Sequence, residues 1–373
     1  MFTTFDRYLL ERLLHTFVVL FVAAYGLYVV FDLFTNIDDF QENTSSLPEL
    51  FLRIAQYYSY RAFEFFGLAG PMLIVVSVIT VLGLLRKNSE TFPVLAAGIP
   101  AFRLLTPLLF AAAILNGTLI LNQEFIMPSL AVALQTPRGS AMAEVQKVEP
   151  VYDYSNSLMY IDGDQVLPDS RTVIGPTFVL PEPEMVTQMC ALKAEKAVFI
   201  DDHKVKQTGW LLKNVVAALP PDVLTETGRQ RVIPSENGRD IFIASEVSFD
   251  QLYARGRNLR FLSSWQLIER IQNPSTGIIP VRGQSVALHT RITVPLLCFL
   301  NIAIALPLVF RKESHSLIAN MAICAAVLGV FYGISEGSFA LGRSGLIASD
   351  LAAWIPVILT GIASAWSSTL VQT

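Results

Sequence analysis

The sequence is short of cysteine, of histidine and of phosphate-binding loops, and each shortage excludes a kind of site. Of the three cysteines, Cys298 and Cys324 lie in long apolar runs, so Cys190 has no partner for a disulfide framework. The four histidines are far apart and no His-Glu-x-x-His pattern occurs, which argues against a metal site. No Gly-Lys-Ser/Thr sequence is present, so the chain has no Walker A loop for ATP.

Charged residues are also scarce, and their absence from long stretches indicates a membrane protein. They make up 16% of the chain, against about 25% in soluble domains. An apolar helix of about 20 residues, rising about 1.5 Å per residue, crosses a hydrocarbon core of about 30 Å. Six such runs are present, at residues 16–34, 65–85, 104–123, 292–310, 317–335 and 351–369. We therefore predict a polytopic α-helical membrane protein with six transmembrane helices.

The distribution of lysine and arginine predicts which side of the membrane each segment faces. With the N-terminus inside, the short inside segments carry seven basic residues and the short outside segments carry three. Because positive residues accumulate on the cytoplasmic side, both termini are predicted to be cytoplasmic. The first run is longer than the apolar region of a signal peptide and is followed by no small-x-small cleavage site, so we expect it to be retained.

The polar segment between the third and fourth runs is predicted to form a β domain on the outer side. The chain then divides into an N-terminal membrane half (1–126), this domain (127–284) and a C-terminal membrane half (285–373). Alternating residues predict short strands at 157–161, 171–174, 177–180, 192–200 and 240–245, which favours an antiparallel sandwich or jelly roll. One helix is predicted after Ser263, which forms a capping box with Gln266.

The fifth run contains a Gly-x-Ser-x-Gly pattern, which has two interpretations. A nucleophile elbow would make Ser335 a catalytic serine, but that motif needs a strand-to-helix turn and a histidine base. The alternative is a stripe of small residues that lets helices approach closely, formed by Ala325, Gly329, Gly333 and Gly337. The second interpretation is the stronger, and we predict no catalytic residue.

The inside segment between the second and third runs carries the most specific motif of the chain. It reads Arg86-Lys87-Asn88-Ser89-Glu90-Thr91-Phe92-Pro93-Val94-Leu95-Ala96-Ala97-Gly98-Ile99-Pro100. Pro93 and Gly98 suit the first turn and the C-terminal cap of a short surface helix. The other motifs are Phe5-Asp6-Arg7-Tyr8-Leu9, Arg291-Ile292-Thr293-Val294-Pro295, Pro307-Leu308 and Ala353-Trp354-Ile355-Pro356. In their order and spacing, over essentially the whole chain, these motifs resemble the LptF/LptG (YjgP/YjgQ) permease family.

The resemblance implies an inner-membrane permease subunit of the lipopolysaccharide exporter. Such a subunit works with a second permease, either a paralogue or the same chain, with a cytoplasmic ABC ATPase dimer and with a periplasmic bridge protein. ATP and Mg are expected on the ATPase, and no cofactor, metal or nucleic acid is expected on this chain. The segment at about 89–98 is implied to be the coupling helix that docks on the ATPase. Its implied contact residues are Glu90, Phe92, Leu95, Ala97 and Gly98.

Further site residues follow from the resemblance and from charge near the membrane boundary. Candidates for the lipid cavity and gate are Asp32, Arg53, Arg61, Arg291, Gly329, Gly333, Gly337 and Arg343. Candidates for an apolar groove in the implied periplasmic β jelly roll are the alternating Leu192, Val198, Ile200, Ile241 and Ile243. Each arginine has an alternative role as an interfacial anchor or as an ion-pair partner of Glu49, Glu64, Glu336 or Asp350.

Three acidic residues at the exit of the first run, Asp32, Asp38 and Asp39, stand where the family often carries basic residues. The expected cargo is therefore lipopolysaccharide or a related large amphiphile. Two other functions remain open, a membrane-anchored binding or scaffold subunit without transport and an intramembrane serine hydrolase that uses Ser335. Co-purification with an ATPase separates the first from a permease, and labelling by a serine-reactive probe separates the second.

Overall fold

The computed structural model divides the chain into two compact units. One unit consists of Met1–Gly139 with Ser285–Thr373 and the other of Ser140–Gln284. The structure describes residues 4–41, 47–90, 102–135, 146–148, 150–153, 158–167, 170–200, 208–216, 221–235, 239–245, 247, 249, 252, 259–272, 281–309 and 317–368.

The first unit is helical. Its helices are α1 (Thr4–Thr35), α2 (Ile37–Gln41), α3 (Leu47–Lys87), α4 (Phe102–Leu121), α5 (Met127–Gln135), α6 (Val281–Val309), α7 (Leu317–Ser344) and α8 (Ser349–Ser368). A π-helical turn, Asn122–Ile126, joins α4 to α5 without a break. Within the described residues, six helical segments are long and apolar enough to cross a membrane, which confirms the predicted number.

The helices extend beyond the apolar runs that predicted them. Helix α1 begins at Thr4, twelve residues before the first run, and an ion pair between Arg7 and Glu11 stabilises this polar turn. Helix α3 has 41 residues, which at about 1.5 Å per residue makes it about 60 Å long, twice the thickness of a hydrocarbon core. Apolar runs mark only the part of each helix that suits lipid, because polar residues continue a helix into water.

The core of this unit is formed where α1, α3, α4, α6 and α7 meet. Its fully buried members include Leu9, Leu13, Ile74, Leu82, Leu85, Leu108, Ile302, Val309 and Cys324. In the most apolar window of α3, 56% of the residues are buried, whereas in α1 the share is 6%. Helix α3 is therefore central, and α1 turns most of its apolar surface outward, toward lipid or another protein.

The second unit is an antiparallel β-structure. Its ten described strands are β1 (Gln146–Lys147), β2 (Val151–Tyr152), β3 (Tyr160–Asp162), β4 (Gln165–Leu167), β5 (Thr172–Ile174), β6 (Thr177–Leu180), β7 (Cys190–Ile200), β8 (Gly209–Val215), β9 (Val232–Pro234) and β10 (Ile241–Ala244). They pair in the order β1-β4-β5-β7-β6-β3-β2, and β7 continues through β8 to β10 and β9. The predicted antiparallel β domain between the third and fourth spans is confirmed.

Strand β7 is the longest strand and organises the unit. It pairs with β6 along Cys190–Lys193, with β5 along Lys196–Val198 and with β8 along most of its length. Trp210 on β8 is fully buried, its ring centroid lies 5.1 Å from that of Phe199, and its Nε1 donates to the Val247 carbonyl at 3.0 Å. The indole therefore packs in the core and also satisfies its polar atom.

The alternation predicted along β7 is wrong in its second half. Leu192 and Ala194 are buried, but Glu195 and Lys196 are both exposed and Ala197 is the next buried residue. The alternation of buried and exposed residues along β7 shifts by one position next to Gly175 and Asn214. These two residues lie on the chain segments that flank β7, and both have a positive φ angle. Val198 and Ile200 are consequently half-buried and do not share the face of Leu192. Ile241 and Ile243 on β10 are buried, and the role of these residues in a groove stays a prediction.

The capping box predicted at Ser263 is confirmed. The Ser263 hydroxyl accepts from the Gln266 amide at 3.2 Å, and the Ser263 amide donates to Gln266 Oε1 at 2.8 Å. The helix that follows, Ser264–Gln272, buries Leu267 and leaves Trp265 75% exposed. The side chain of each residue therefore accepts a hydrogen bond from the backbone N–H of the other, which satisfies two donors at the start of the helix.

Candidate functional site

The end of α3 at Glu90 is a Schellman motif. The Glu90 amide donates to the Leu85 carbonyl at 3.0 Å, the Ser89 amide donates to the Arg86 carbonyl at 3.1 Å, and Ser89 has φ 58°. This left-handed residue ends the helix and turns the chain. Ser89 and Glu90 therefore belong to a turn rather than to the predicted coupling helix. The other predicted contact residues, Phe92, Leu95, Ala97 and Gly98, lie outside the described residues.

The Glu90 carboxylate is bound by the first helix of the same chain. Arg12 Nη1 donates to both of its oxygens at 3.1 Å, and Tyr8 Oη donates to Oε2 at 3.1 Å. Asn88 Nδ2 donates to Oε1 at 2.9 Å. The Arg12 guanidinium also bonds the Tyr8 hydroxyl and lies 5.4 Å from its ring centroid. We refer to Tyr8, Arg12, Asn88 and Glu90 as the Glu90 cluster.

The Glu90 cluster favours the ionised carboxylate. Partial burial opposes ionisation of Glu90, but the hydrogen bonds from Asn88, Arg12 and Tyr8 and the positive charge of Arg12 outweigh it and lower the pKa of Glu90. The side chains of Arg12 and Glu90 are 18% and 28% exposed, so the pair is partly shielded from water. The pair is therefore charged at neutral pH and only moderately screened by solvent.

A second contact of the same turn reaches the C-terminal half of the membrane unit. Arg86 Nη1 donates to the carbonyl of Val309, the last residue of α6. The carbonyls at the end of a helix lack intrahelical partners and carry the negative end of the dipole, so a guanidinium is well placed there. Residues 86–90 thus connect α3 with α1 through Glu90 and with α6 through Arg86.

Arg291, a predicted gate residue, pairs with a residue that the sequence analysis did not name. Its Nη1 lies 3.1 Å from Oε1 of Glu124, and the two side chains are 13% and 25% exposed. Glu124 lies in the π-helical turn Asn122–Ile126, and Asn122 in the same turn donates to the Phe63 carbonyl at 3.0 Å. Glu124 was not among the acidic residues that the sequence analysis offered as ion-pair partners. The π-helical turn places it against α6, where it meets Arg291.

The other three predicted arginines have acidic partners on their own helices, as the alternative interpretation expected. Arg53 pairs with Glu49 at 2.8 Å, Arg61 pairs with Glu64, and Arg343 lies 3.7 Å from Glu336. Arg343 and Glu336 are each 52% exposed, so solvent screens that pair strongly. A phosphate would have to compete with these carboxylates for the guanidinium groups.

Asp32, at the end of α1, takes part in a polar contact between α1 and α3. Tyr58 Oη donates to Asp32 Oδ2 at 2.8 Å, and the Tyr25 hydroxyl donates to the Tyr58 carbonyl. Next to these groups an aromatic wall continues along the two helices, formed by Phe17, Phe21, Tyr25, Tyr28, Phe65 and Phe66. The acidic side chain thus helps to hold the C-terminal part of α1 to α3.

The glycine stripe of α7 faces away from the other described residues. A methyl group at Gly329, Gly333 or Gly337 would meet no described atom within 4 Å, and Val330 beside them is 61% exposed. Gly342 on the same helix differs, because a methyl group there would clash with Ala352 and lie 3.0 Å from Val286. Packing against the described residues therefore explains Gly342 but does not explain the stripe.

Ser335 lies within α7 and not on a turn between a strand and a helix. Its hydroxyl donates to the Phe331 carbonyl at 2.9 Å, one turn earlier, and the residue is 7% exposed. A serine in this arrangement satisfies its hydroxyl on its own helix. The geometry lacks the sharp turn that a nucleophile elbow needs.

The family model described as lipopolysaccharide export system permease LptF/LptG matches residues 7–369 of the chain. The chain belongs to the LptF/LptG family. No match was found among the curated proteins.

Membership of the LptF/LptG family confirms the resemblance seen in the sequence. The match covers both groups of membrane helices and the inserted β unit, so it is a match of the whole architecture. With six membrane-crossing helices, the chain is a multi-pass membrane protein of a lipopolysaccharide export permease family. The individual roles given to the gate, coupling and groove residues stay predictions.

Four residues of the site were missed by sequence reasoning. Arg12, Tyr8 and Glu124 find their partners across 78, 82 and 167 positions, which no local pattern reveals. Arg86 stood at the start of the most specific motif but was given no role, although it binds the end of α6. One signal could have identified Arg12 and Glu124 as members of ion pairs. They are charged residues at the ends of apolar runs, where a charge without a partner is costly.

Proposed function

We propose that the chain is one permease subunit of an ATP-driven exporter that extracts lipopolysaccharide or a related large amphiphile from the inner membrane. The observation that carries this proposal is the LptF/LptG match over residues 7–369, which includes both membrane halves and the β unit between them. The chain itself performs no chemistry in this scheme. ATP and Mg bind to a partner ABC ATPase dimer, and the permease converts its closure into movement of helices.

The proposed orientation places both termini in the cytoplasm and the β unit in the periplasm. Positive residues near the short inside segments support this orientation. The turn at Glu90 then lies on the ATPase side, and the segment 91–98 that follows it docks on the ATPase. The β unit, folded as a jelly roll, receives the lipid and passes it to a periplasmic bridge protein.

A second permease completes the lipid cavity in this proposal. Helix α1 has only 6% of its most apolar window buried, and the glycine stripe of α7 is open within the described residues. Small residues permit close approach of another helix in lipid. We propose that these two surfaces contact the second permease, which is either a paralogue or another copy of this chain.

The proposed function is tested by purification and reconstitution. The tagged chain, extracted from its native membrane in mild detergent, should bring an ABC ATPase with it. In proteoliposomes this complex should release lipopolysaccharide to an acceptor only when ATP is hydrolysed, and vanadate should stop the release. A chain that binds lipid but brings no ATPase would support the scaffold alternative, and labelling of Ser335 by a fluorophosphonate probe would support the hydrolase.

The conduit role of the β unit is tested by photo-crosslinking. Of the groove candidates, Ile200 and Val198 are half-buried and can be reached by a lipid. Ile243 is fully buried in the core, so a photo-reactive residue at that groove candidate serves as the buried comparison. A photo-reactive residue at Ile200 should capture lipid in cells, and capture should fall when the ATPase is inactivated. Equal capture at Ile243 and Ile200, or none at either position in an active exporter, would leave the β unit as a docking platform.

A further inference from the structure

The C-terminal membrane helices bury their apolar residues in two separate cores. Along α6, residues 298–309 belong to the large core that α1, α3 and α4 also form. Residues 286–297 belong instead to a small core shared with α7 and α8, whose buried members are Val286, Leu297, Phe339 and Ala353. The division follows the helix axis, so the two halves of α6 pack against different partners.

Helix α7 is divided in the same way. Cys324 is a buried member of the large core and Leu328 packs against it, whereas Phe339 belongs to the small core. Both α6 and α7 therefore pass from one core to the other, and α8 contributes buried apolar residues only to the small core among those described.

The segments that surround the small core are residues 286–297 and 338–357, and we refer to them as the α8 body. Its helices are closely joined. Ser338 Oγ donates to the Ala352 carbonyl at 2.6 Å, and a methyl group at Gly342 would clash with Ala352. A hydrogen bond and close packing thus hold α7 to α8 within this body.

In α6, a proline lies close to the boundary between the two cores. Pro295 precedes that boundary, between Leu297 and Cys298, by less than one turn. Proline has no amide hydrogen for the carbonyl of Arg291, one turn earlier, and such positions bend helices. Bending here therefore costs no hydrogen bond between these two residues.

In α7, three glycines lie between the parts that pack in the two cores. Gly329, Gly333 and Gly337 stand between Leu328 and Phe339, and a methyl group on any of them would meet no described atom within 4 Å. Glycine leaves the backbone of a helix freer than alanine does. Both helices are therefore weakened where they cross from one core to the other.

An ion pair joins the α8 body to the N-terminal helices across this boundary. Arg291 lies 3.1 Å from Glu124, and the two side chains are 13% and 25% exposed. The π-helical turn that carries Glu124 is fixed to α3 by the hydrogen bond from Asn122 to the Phe63 carbonyl. Separating a shielded pair takes each charge from its partner while solvation is still poor, so the pair opposes movement of the body.

We propose that the α8 body turns as a unit about Pro295 and the three glycines of α7, and that the pair of Arg291 and Glu124 is the latch that holds it against the N-terminal helices. Breaking the pair lets the body tilt away from α3 and α4. The device belongs to the chain alone, so it stands or falls separately from the proposed function.

Distances between two spin labels, in the full chain in lipid nanodiscs, test the latch. Genetically encoded ketone side chains carry the labels, so the native cysteines stay in place. One label replaces the exposed Leu346 between α7 and α8, and the other replaces the exposed Ile120 on α4. Glu124→Gln should raise the fraction of longer distances by about fivefold or more, within the range of coupling between contacting residues. Reversing the pair, as Arg291→Glu with Glu124→Arg, should return the fraction to within about twofold of the wild type.

A shielded pair within one helix supplies the matched control. Arg61 and Glu64 are 23% and 17% exposed and both lie on α3, so Glu64→Gln should leave the distances unchanged. Labels at Leu346 and Ile292, both in the α8 body, should keep their distance when the latch is broken. If Glu124→Gln does not fold, Arg291→Ala with Glu124→Ala replaces it and should give the same rise, because no charge is then left alone.

The hinge is tested in the Glu124→Gln chain. Adding Gly329→Ala and Gly333→Ala stiffens α7 without a clash and should lower the fraction of longer distances by about twofold or more. Gly361→Ala also adds a methyl group that meets no described atom, but it lies beyond the α8 body near the end of α8 and should change nothing.

Three results would overturn the inference. Equal distance distributions in the wild type and in every latch variant would remove the latch. Broadening of the distance between Leu346 and Ile292 to the same degree would show that the α8 body does not move as a unit. An equal effect of the α7 alanines and Gly361→Ala would place the bending elsewhere.

Discussion

The Glu90 turn and the region around Arg53 each place an arginine beside a glutamate. The first pair joins two helices, whereas the second lies within one helix. Arg12 and Glu90 are 78 residues apart, join α1 to the end of α3, and are 18% and 28% exposed. Arg53 and Glu49 are one turn apart on α3 and are 32% and 45% exposed. An exposed local pair stabilises little, whereas removing one partner of a shielded pair leaves the other charge poorly solvated and without that partner. A charged pair that joins two helices is therefore expected to contribute more to their packing than a pair within one helix.

The largest effect is expected at the shielded pair of Arg291 and Glu124, which joins two elements far apart in the sequence. Replacing Arg291 by Ala should lower the free energy of unfolding by about 3–5 kcal/mol, because Glu124 remains as a shielded charge without this partner. The measurement is denaturant unfolding in detergent micelles. Replacing both residues by Met should cost much less than the single change, since no charge is then left behind. A single-variant loss no larger than that of Arg53→Ala would break the comparison.

The same distinction between inner and outer surfaces applies to the glycines of α7. Gly342→Ala should destabilise the chain by about 1–3 kcal/mol, because the new methyl group clashes with Ala352. Gly333→Ala gives the same gain in helix propensity, but its methyl group meets no described atom within 4 Å. This change should therefore be neutral or should stabilise the chain by up to about 1 kcal/mol. Unfolding of the isolated permease in detergent measures both.

Gly333→Leu then tests the outward surface. It should leave the isolated chain folded and should weaken association with the second permease, as read by native mass spectrometry. Unchanged association would mean that the stripe faces lipid alone.

A smaller effect is expected when the pH is lowered toward the pKa of Glu90. The folded state lowers this pKa, so the Glu90 contribution to stability is complete above the unfolded pKa of about 4.3. It is lost as the pH falls through the lower folded value. The difference in unfolding free energy between the wild type and Glu90→Gln should be constant from pH 7 to about 5 and should shrink below about 4.3. A difference that grows in acid would contradict the assigned contacts.

The smallest effect is expected at Arg53. Replacing it by Ala should change the free energy of unfolding by about 0–1 kcal/mol, since its pair with Glu49 is exposed and local. Added salt should reduce even this difference. A loss above about 2 kcal/mol would show that Arg53 contributes more than an exposed pair does, and would favour its predicted role at the cavity.

Sequence reasoning reached the features that depend on neighbouring residues. The length of the apolar runs determined the six spans, because a helix must cross a hydrocarbon core of about 30 Å. Alternation and turn residues determined the antiparallel β unit, and the capping box at Ser263 was read from four residues. Helix ends were missed by up to eighteen residues, at the start of α3, because polar residues extend a helix without changing the apolar run.

Only the tertiary structure decided which distant residues meet. Helix packing brings together Arg12 with Glu90 and Arg291 with Glu124. The sequence also has charged residues at other helix ends, so it did not indicate which of them would pair. The phase change along β7 depends on positive φ angles in the neighbouring segments, and the outward direction of the glycine stripe depends on which face of α7 packs against α8. Local chemistry sets each element, whereas contacts across tens of residues set the site, because their partners are chosen by packing and not by spacing.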